Sequence, residues 1–156
     1  MDNRPIGVCD SGLGGIVVLS ELMKMLPNEK FIYLGDTARF PYGNKTEEKL
    51  SEYLKEIINF LITKDVKSVI VACGTASTVL PRVLEEKFDV PVIGIIESTA
   101  AGVSSDGQTI GVISTERTTR SGAWTKEIKA RNADKKVIEN SCPVLAPLAE
   151  ARMDRE

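Results

Sequence analysis

Histidine is absent from all 156 residues. That absence removes Ser/His/Asp and Cys/His nucleophilic machinery, and with it the commonest transition-metal ligand. A catalytic proton in this chain must therefore move through Cys, Asp, Glu, Lys, Tyr or water. Long apolar runs are lacking too: no stretch approaches the ~20 residues that a bilayer crossing requires, and residues 1–5 lead into the first apolar segment without a signal-peptide pattern. A cytoplasmic protein with no membrane partner is expected. Positive charge is not in excess, since 20 Lys and Arg stand against 22 Asp and Glu with no basic stripe, so no nucleic-acid partner is expected. The three cysteines, Cys9, Cys73 and Cys142, are widely spaced and lack C-x-x-C clustering. Neither a disulfide framework nor a metal site is implied, and free thiols fit a reducing compartment. The hydrophobic fraction of 42% and charged fraction of 27% are those of a soluble globular chain long enough for one sizeable core.

What is present alternates. Short apolar runs rich in Val and Ile at 6–9, 31–34, 68–72, 92–96 and 109–113 read as buried strands, with a weaker one at 136–139. Between them lie helical patterns. The clearest follows Thr46 as N-cap, with Glu47 and Glu48 in its first turn and Leu50, Tyr53, Leu54, Ile57, Ile58 and Leu61 on one face. A shorter stripe, Ile16, Leu19, Leu22, Met23 and Leu26, ends before Pro27. Val79, Leu80, Val83, Leu84 and Phe88 mark a third helix that carries Pro81 in its opening turns, and 121–131 reads as a fourth. Strands without polar alternation, separated by helices, imply an α/β fold with a mostly parallel sheet flanked by helices. Small and polar residues over 98–107 predict a short helix and turn, or a crossing into a second domain.

In open α/β sheets ligands bind beyond the carboxyl ends of the strands, so the turns there are the places to look for chemistry. After the first strand comes Asp10-Ser11-Gly12-Leu13-Gly14-Gly15, a turn whose backbone N–H groups can face a small anion at a helix N-terminus; a purely structural turn is the plain alternative. It lacks the last glycine of G-x-G-x-x-G, so the dinucleotide fingerprint fails even though Asp36 stands near where a ribose-binding acid belongs. The second strand leads into a long loop with a Pro41-Tyr42-Gly43 corner. After the third comes Cys73-Gly74-Thr75-Ala76-Ser77, where a thiol beside a helix N-terminus is expected to have a lowered pKa and to serve as a base; a buried structural cysteine is the alternative.

These three turns, in this order and spacing, resemble the front part of glutamate racemases. The resemblance continues through Pro91-Val92-Ile93-Gly94-Ile95-Ile96-Glu97, Ser121-Gly122-Ala123-Trp124, Ser141-Cys142-Pro143 and Pro147-Leu148-Ala149-Glu150, covering essentially the whole chain. It implies a two-domain, pseudo-symmetric enzyme that interconverts L- and D-glutamate without pyridoxal phosphate or any other cofactor, for cell-wall peptidoglycan. By motif position, Cys73 is a proton donor and acceptor. Asp10, Ser11, Pro41, Tyr42, Gly43, Gly74, Thr75 and Ser77 line the substrate, and Glu150 contributes from the domain boundary. Inverting a carbon needs one group on each face, and a pair of thiols can serve.

Two departures stand out. The family carries Asn where this chain has Gly74, which removes a side-chain amide and implies weaker binding or altered specificity. Family members also continue into a second cysteine followed by Thr-His. The resemblance therefore implies a first domain over 1–97, an incomplete second domain over 98–156, and impaired racemisation. Cys142 matches a different family position and is read as buried near a strand end. Apolar surface left uncovered would favour a homodimer. Two other readings stay open: a related aspartate or hydantoin racemase, and a non-catalytic amino-acid-binding or regulatory fragment.

Overall fold

The first strand, β1 (Ile6–Asp10), is buried along its whole length, which is what an apolar run without alternation requires. It pairs in parallel with β2 (Phe31–Gly35) on one side and β3 (Ser68–Val71) on the other, and β4 (Val92–Gly94) completes the sheet in the order β2-β1-β3-β4. A second parallel sheet holds β5 (Thr109–Ser114) and β6 (Lys136–Ser141). The computed structural model describes residues 2–103 and 107–153; within the small-residue stretch 98–107, residues 104–106 lie outside the described residues.

Helices cover the first sheet on both faces. The Thr46 hydroxyl caps α2 (Glu47–Ile62) by accepting from Lys49 N–H at 3.3 Å. The predicted stripe of this helix packs with Val66, Val69, Val71, Val79 and Val83 into the main core. On the opposite face α1 (Gly15–Met25) turns Val18, Leu19 and Leu22 toward Ile6, Val8 and Ala72. The expected stripe is thus rotated: Ile16 and Met23 are exposed, because the sheet meets the helix one residue over.

The third predicted helix is two single turns, α3 (Gly74–Ser77) and α4 (Leu80–Val83), with Pro81 in the first turn of the second. The predicted strand at 92–96 stops early. Ile95 opens α5 (Ile95–Gly102), and Ser98 donates to the Gly94 carbonyl at 2.5 Å in the first turn of that helix. α5 runs unbroken across 97/98, and each sheet belongs to one unit, the first before this helix and the second after it. The helix predicted at 121–131 is split by Gly122, whose φ of +62° ends α6 (Glu116–Ser121) and starts α7 (Ala123–Arg131). The last helix, α8 (Leu145–Met153), follows β6.

Candidate active site

The carboxyl ends of both sheets converge. β1 delivers Asp10 and Ser11, β3 Cys73, β5 Ser114 and Thr115, and β6 Cys142, all onto one cavity of about 400 Å³. It adjoins a smaller one of about 240 Å³, lined by Pro41, Tyr42 and Gly43 and sharing Ser11, Thr75 and Thr115 with the first. Together they form a cleft between the first unit and the second. Nine of the ten sequence-derived candidates line it. Cys73, Asp10, Ser11, Gly74, Thr75 and Glu150 line the larger part, and the Pro41-Tyr42-Gly43 corner lines the smaller.

Cys73 caps α3, its sulfur accepting from Ala76 N–H at 3.4 Å, and its thiol donates to Ser11 Oγ at 3.5 Å. Here the expectation of a lowered pKa reverses. Burial is the largest influence, the neighbouring Asp10 adds to it, and the thiol is pushed up to about 11 against the pull of the bonds to Ser11 and Ala76. The helix it caps has four residues, too few to aim much dipole at the sulfur. Near neutral pH, Cys73 is a thiol poised to give a proton.

The Tyr42 ring is buried in the main core, and its hydroxyl donates to Asp36 at 2.5 Å. Arg39 donates to the same carboxylate oxygen at 2.6 Å and stacks over Tyr53. Asp36 is therefore committed within its own loop, which disposes of a ribose-binding role. The Tyr42 phenol is equally committed, so the corner's free polar groups toward a ligand are those of its backbone. A side chain at Gly43 would press on Thr115 at 3.1 Å, which is how closely the second unit approaches this loop.

Two residues that sequence reasoning did not single out complete the cleft. Thr115, the N-cap of α6, and Thr118, almost fully buried, join Thr75 in a triangle of hydroxyls at 2.9, 3.2 and 2.9 Å. The signal was available: Ser114-Thr115 leaves β5 as Asp10-Ser11 leaves β1. Cys142, expected to be buried, is half-exposed on the cleft wall.

Ser77 departs from the expected lining. Its hydroxyl donates to the Val71 carbonyl and accepts from Ile95 N–H, both at 3.3 Å, pinning α3 to the first sheet. Gly74 faces open space, with nothing within 4 Å of where a Cβ would stand. The anion expected at the glycine turn comes from the chain itself: Glu150 on α8 accepts from Leu13 N–H at 2.8 and 2.9 Å and from Gly14 N–H at 2.9 Å. Among the described residues, no group of three or more Cys, Asp or Glu side chains forms a metal cluster, and no helix is long and apolar enough to cross a membrane.

Two parallel α/β units thus meet with their strand ends facing across a thiol-bearing cleft. The chain belongs to the Asp/Glu/Hydantoin racemase family, whose pattern matches residues 21–154. It is 46% identical over 153 residues to a glutamate racemase of Streptococcus pneumoniae serotype 19F (strain G54), a match covering 97% of this chain and 58% of that protein. Among solved structures it is similar to glutamate racemase from Francisella tularensis subsp. tularensis SCHU S4 in complex with D-glutamate (TM-score 0.89, 38% identity, 98% of this chain and 58% of that one). It is similar also to a glutamate racemase of Bacillus anthracis (TM-score 0.89, 35% identity, 99% and 59%). The chain thus spans less than two thirds of the length of these relatives.

Proposed function

We propose that this chain forms the glutamate-binding half-site of a cofactor-independent glutamate racemase, cytoplasmic and serving D-glutamate supply for peptidoglycan, with residues 1–97 as the first racemase domain. The observation that carries the reading is the convergence of both sets of strand ends on Cys73. Substrate carboxylates would meet Ser11, Thr75, the backbone N–H groups of Tyr42 and Gly43 beside Pro41, and the Thr115 and Thr118 hydroxyls; backbone donors of this kind also stabilise developing carbanion charge. Cys73 would act on one face of the α-carbon: its proton first passes to a bound ligand group or to solvent, the thiolate takes the α-proton, and the thiol so formed, after exchange with solvent, returns a proton to the same face. Inversion by two thiols requires a second base opposite, and this sequence contains no Cys-Thr-His segment. The reading for these residues is therefore α-proton exchange on one face, with homodimerisation through uncovered apolar surface.

A second reading, an amino-acid-binding module without proton transfer, is favoured by one observation: Cys73 is buried, which pushes its thiol up to about 11 and keeps it protonated. Incubating L- and D-glutamate with the protein in deuterated buffer, followed by proton NMR, separates the two. Loss of the α-proton signal without appearance of the other enantiomer, abolished by Cys73→Ala, supports the first reading. Saturable binding with no exchange supports the second, and rapid inversion would contradict the requirement for another base.

A further inference from the structure

Helix α1 begins without a cap of its own. Its N-cap residue is Gly14, no side chain there bonds the first turn, and no acidic residue lies in that turn. Inside the first turn, Ile16 and Val17 N–H reach back to the Leu13 and Gly14 carbonyls, while the N–H groups of the N-cap Gly14 and of Leu13 before it point to the Glu150 carboxylate, 136 and 137 positions away. The cradle is shaped for that carboxylate. A Cβ on Gly12 would stand 2.7 Å from each of the two oxygens, closer than any real contact, so only glycine leaves the space. Gly12 is itself held from behind, its carbonyl accepting from the Tyr33 hydroxyl at 2.7 Å.

On the other side of the contact, α8 has little else to hold it. Leu145 and Leu148 are exposed, so the helix buries little apolar surface of its own. Yet Leu145, Ala146, Ala149 and Glu150 form the wall of the cleft that faces Cys73.

We propose that Glu150 is a positioning residue that latches the cleft, its carboxylate in the α1 cradle holding α8 over Cys73. The latch governs access to the thiol whatever reaction the thiol performs, so this inference stands or falls apart from the racemase reading. Charge-assisted bonds to backbone N–H groups are among the stronger single contacts a protein makes, and losing them shifts the helix outward.

Two cysteines make the test internally controlled. Both belong to the main core, but Cys73 also lines the cleft, whereas Cys9, 2% exposed, lies on the central strand β1 beneath it. Labelling of the native protein with iodoacetamide, resolved by peptide mass spectrometry, reads cleft opening at Cys73 and unfolding at Cys9. Glu150→Ala and Gly12→Ala attack the contact from opposite sides; Gly12 is not among the residues at positive φ, so alanine fits its backbone. Each is expected to speed Cys73 labelling by roughly tenfold, a shift of about 1.4 kcal/mol in the opening equilibrium. Cys9 should be unchanged, and the double variant no faster than either single one. Glu150→Gln, which keeps an acceptor, is expected to fall in between. An unaltered Cys73 rate in both variants overturns the latch. So does a parallel rise at Cys9, or additive effects in the double variant.

Discussion

β1 and β5 are both short parallel strands that end in a hydroxyl-bearing turn, yet their surroundings differ. Every residue of β1 is buried, while β5 and β6 alternate exposed and half-buried, with Ile113 67% and Ile138 50% exposed. The first unit owns the core: Leu50, Leu54, Ile57, Ile58 and Leu61 of α2 close over Val69 and Val71. Among the described residues, the second unit, beyond α5, buries a single large apolar side chain, Ile128 of α7. Strand pairing and hydroxyl placement thus do not require enclosure, but stability does. The first unit is a platform on which the second is carried, through the Thr75, Thr115 and Thr118 triangle, the Arg117–Glu47 ion pair and Glu150.

The sharpest way to break this comparison is to cut one side chain in each unit. Leu54→Ala is expected to cost about 2–5 kcal/mol in urea denaturation, against no more than about 0.5 kcal/mol for Ile138→Ala. Equal losses would show that the second unit has a core of its own. Next in size is alkaline pH. Below the ordinary thiol value of 9.0, Cys73 is protonated in both folded and unfolded chains. Above it the unfolded chain sheds the proton first, so stability should fall as pH rises from 9.0 toward about 11. The fall attributable to Cys73 should approach roughly 2–3 kcal/mol. The urea midpoint against pH should be flatter in Cys73→Ala; parallel curves would remove burial as the cause of the raised thiol. Thr118→Val, nearly isosteric, should cost about 1–2 kcal/mol and loosen the second unit first, seen as faster amide exchange in α6 and β5 with β1 unaffected. Smallest is Gly74→Asn. The open space there should hold the stability change within about 0.5 kcal/mol while glutamate affinity moves; an unmoved affinity would argue that position 74 does not meet the ligand.

Much of the first unit was legible in the sequence because β1, β2, β3 and α2 have one environment each, either fully apolar or cleanly amphipathic. Residues 95–96 misled, since an apolar run reads alike as the end of a buried strand and the start of a buried helix. The α1 stripe was rotated because Val17 and Val18 made two apolar faces available and only packing chose between them. Cys73, Ser11 and Thr75 could be placed from strand ends alone. Thr115 could have been found from its strand end, as Ser11 was, but Thr118 could not, lying in a polar segment that reads as an ordinary helix turn until the second unit folds against Thr75. The sign of the Cys73 shift was also beyond sequence, because it depends on burial and on Asp10, neither of which local spacing reports.

The claim at the centre is that both units build one cleft for one ligand. Amide shift mapping of the isotopically labelled protein during titration with L-glutamate tests it most directly. Saturating shifts at Ser11, Gly43 and Thr75 together with Thr115 and Thr118, all fitting one dissociation constant, are the expected result. Shifts confined to the first unit, with Thr115 and Thr118 silent, would contradict it.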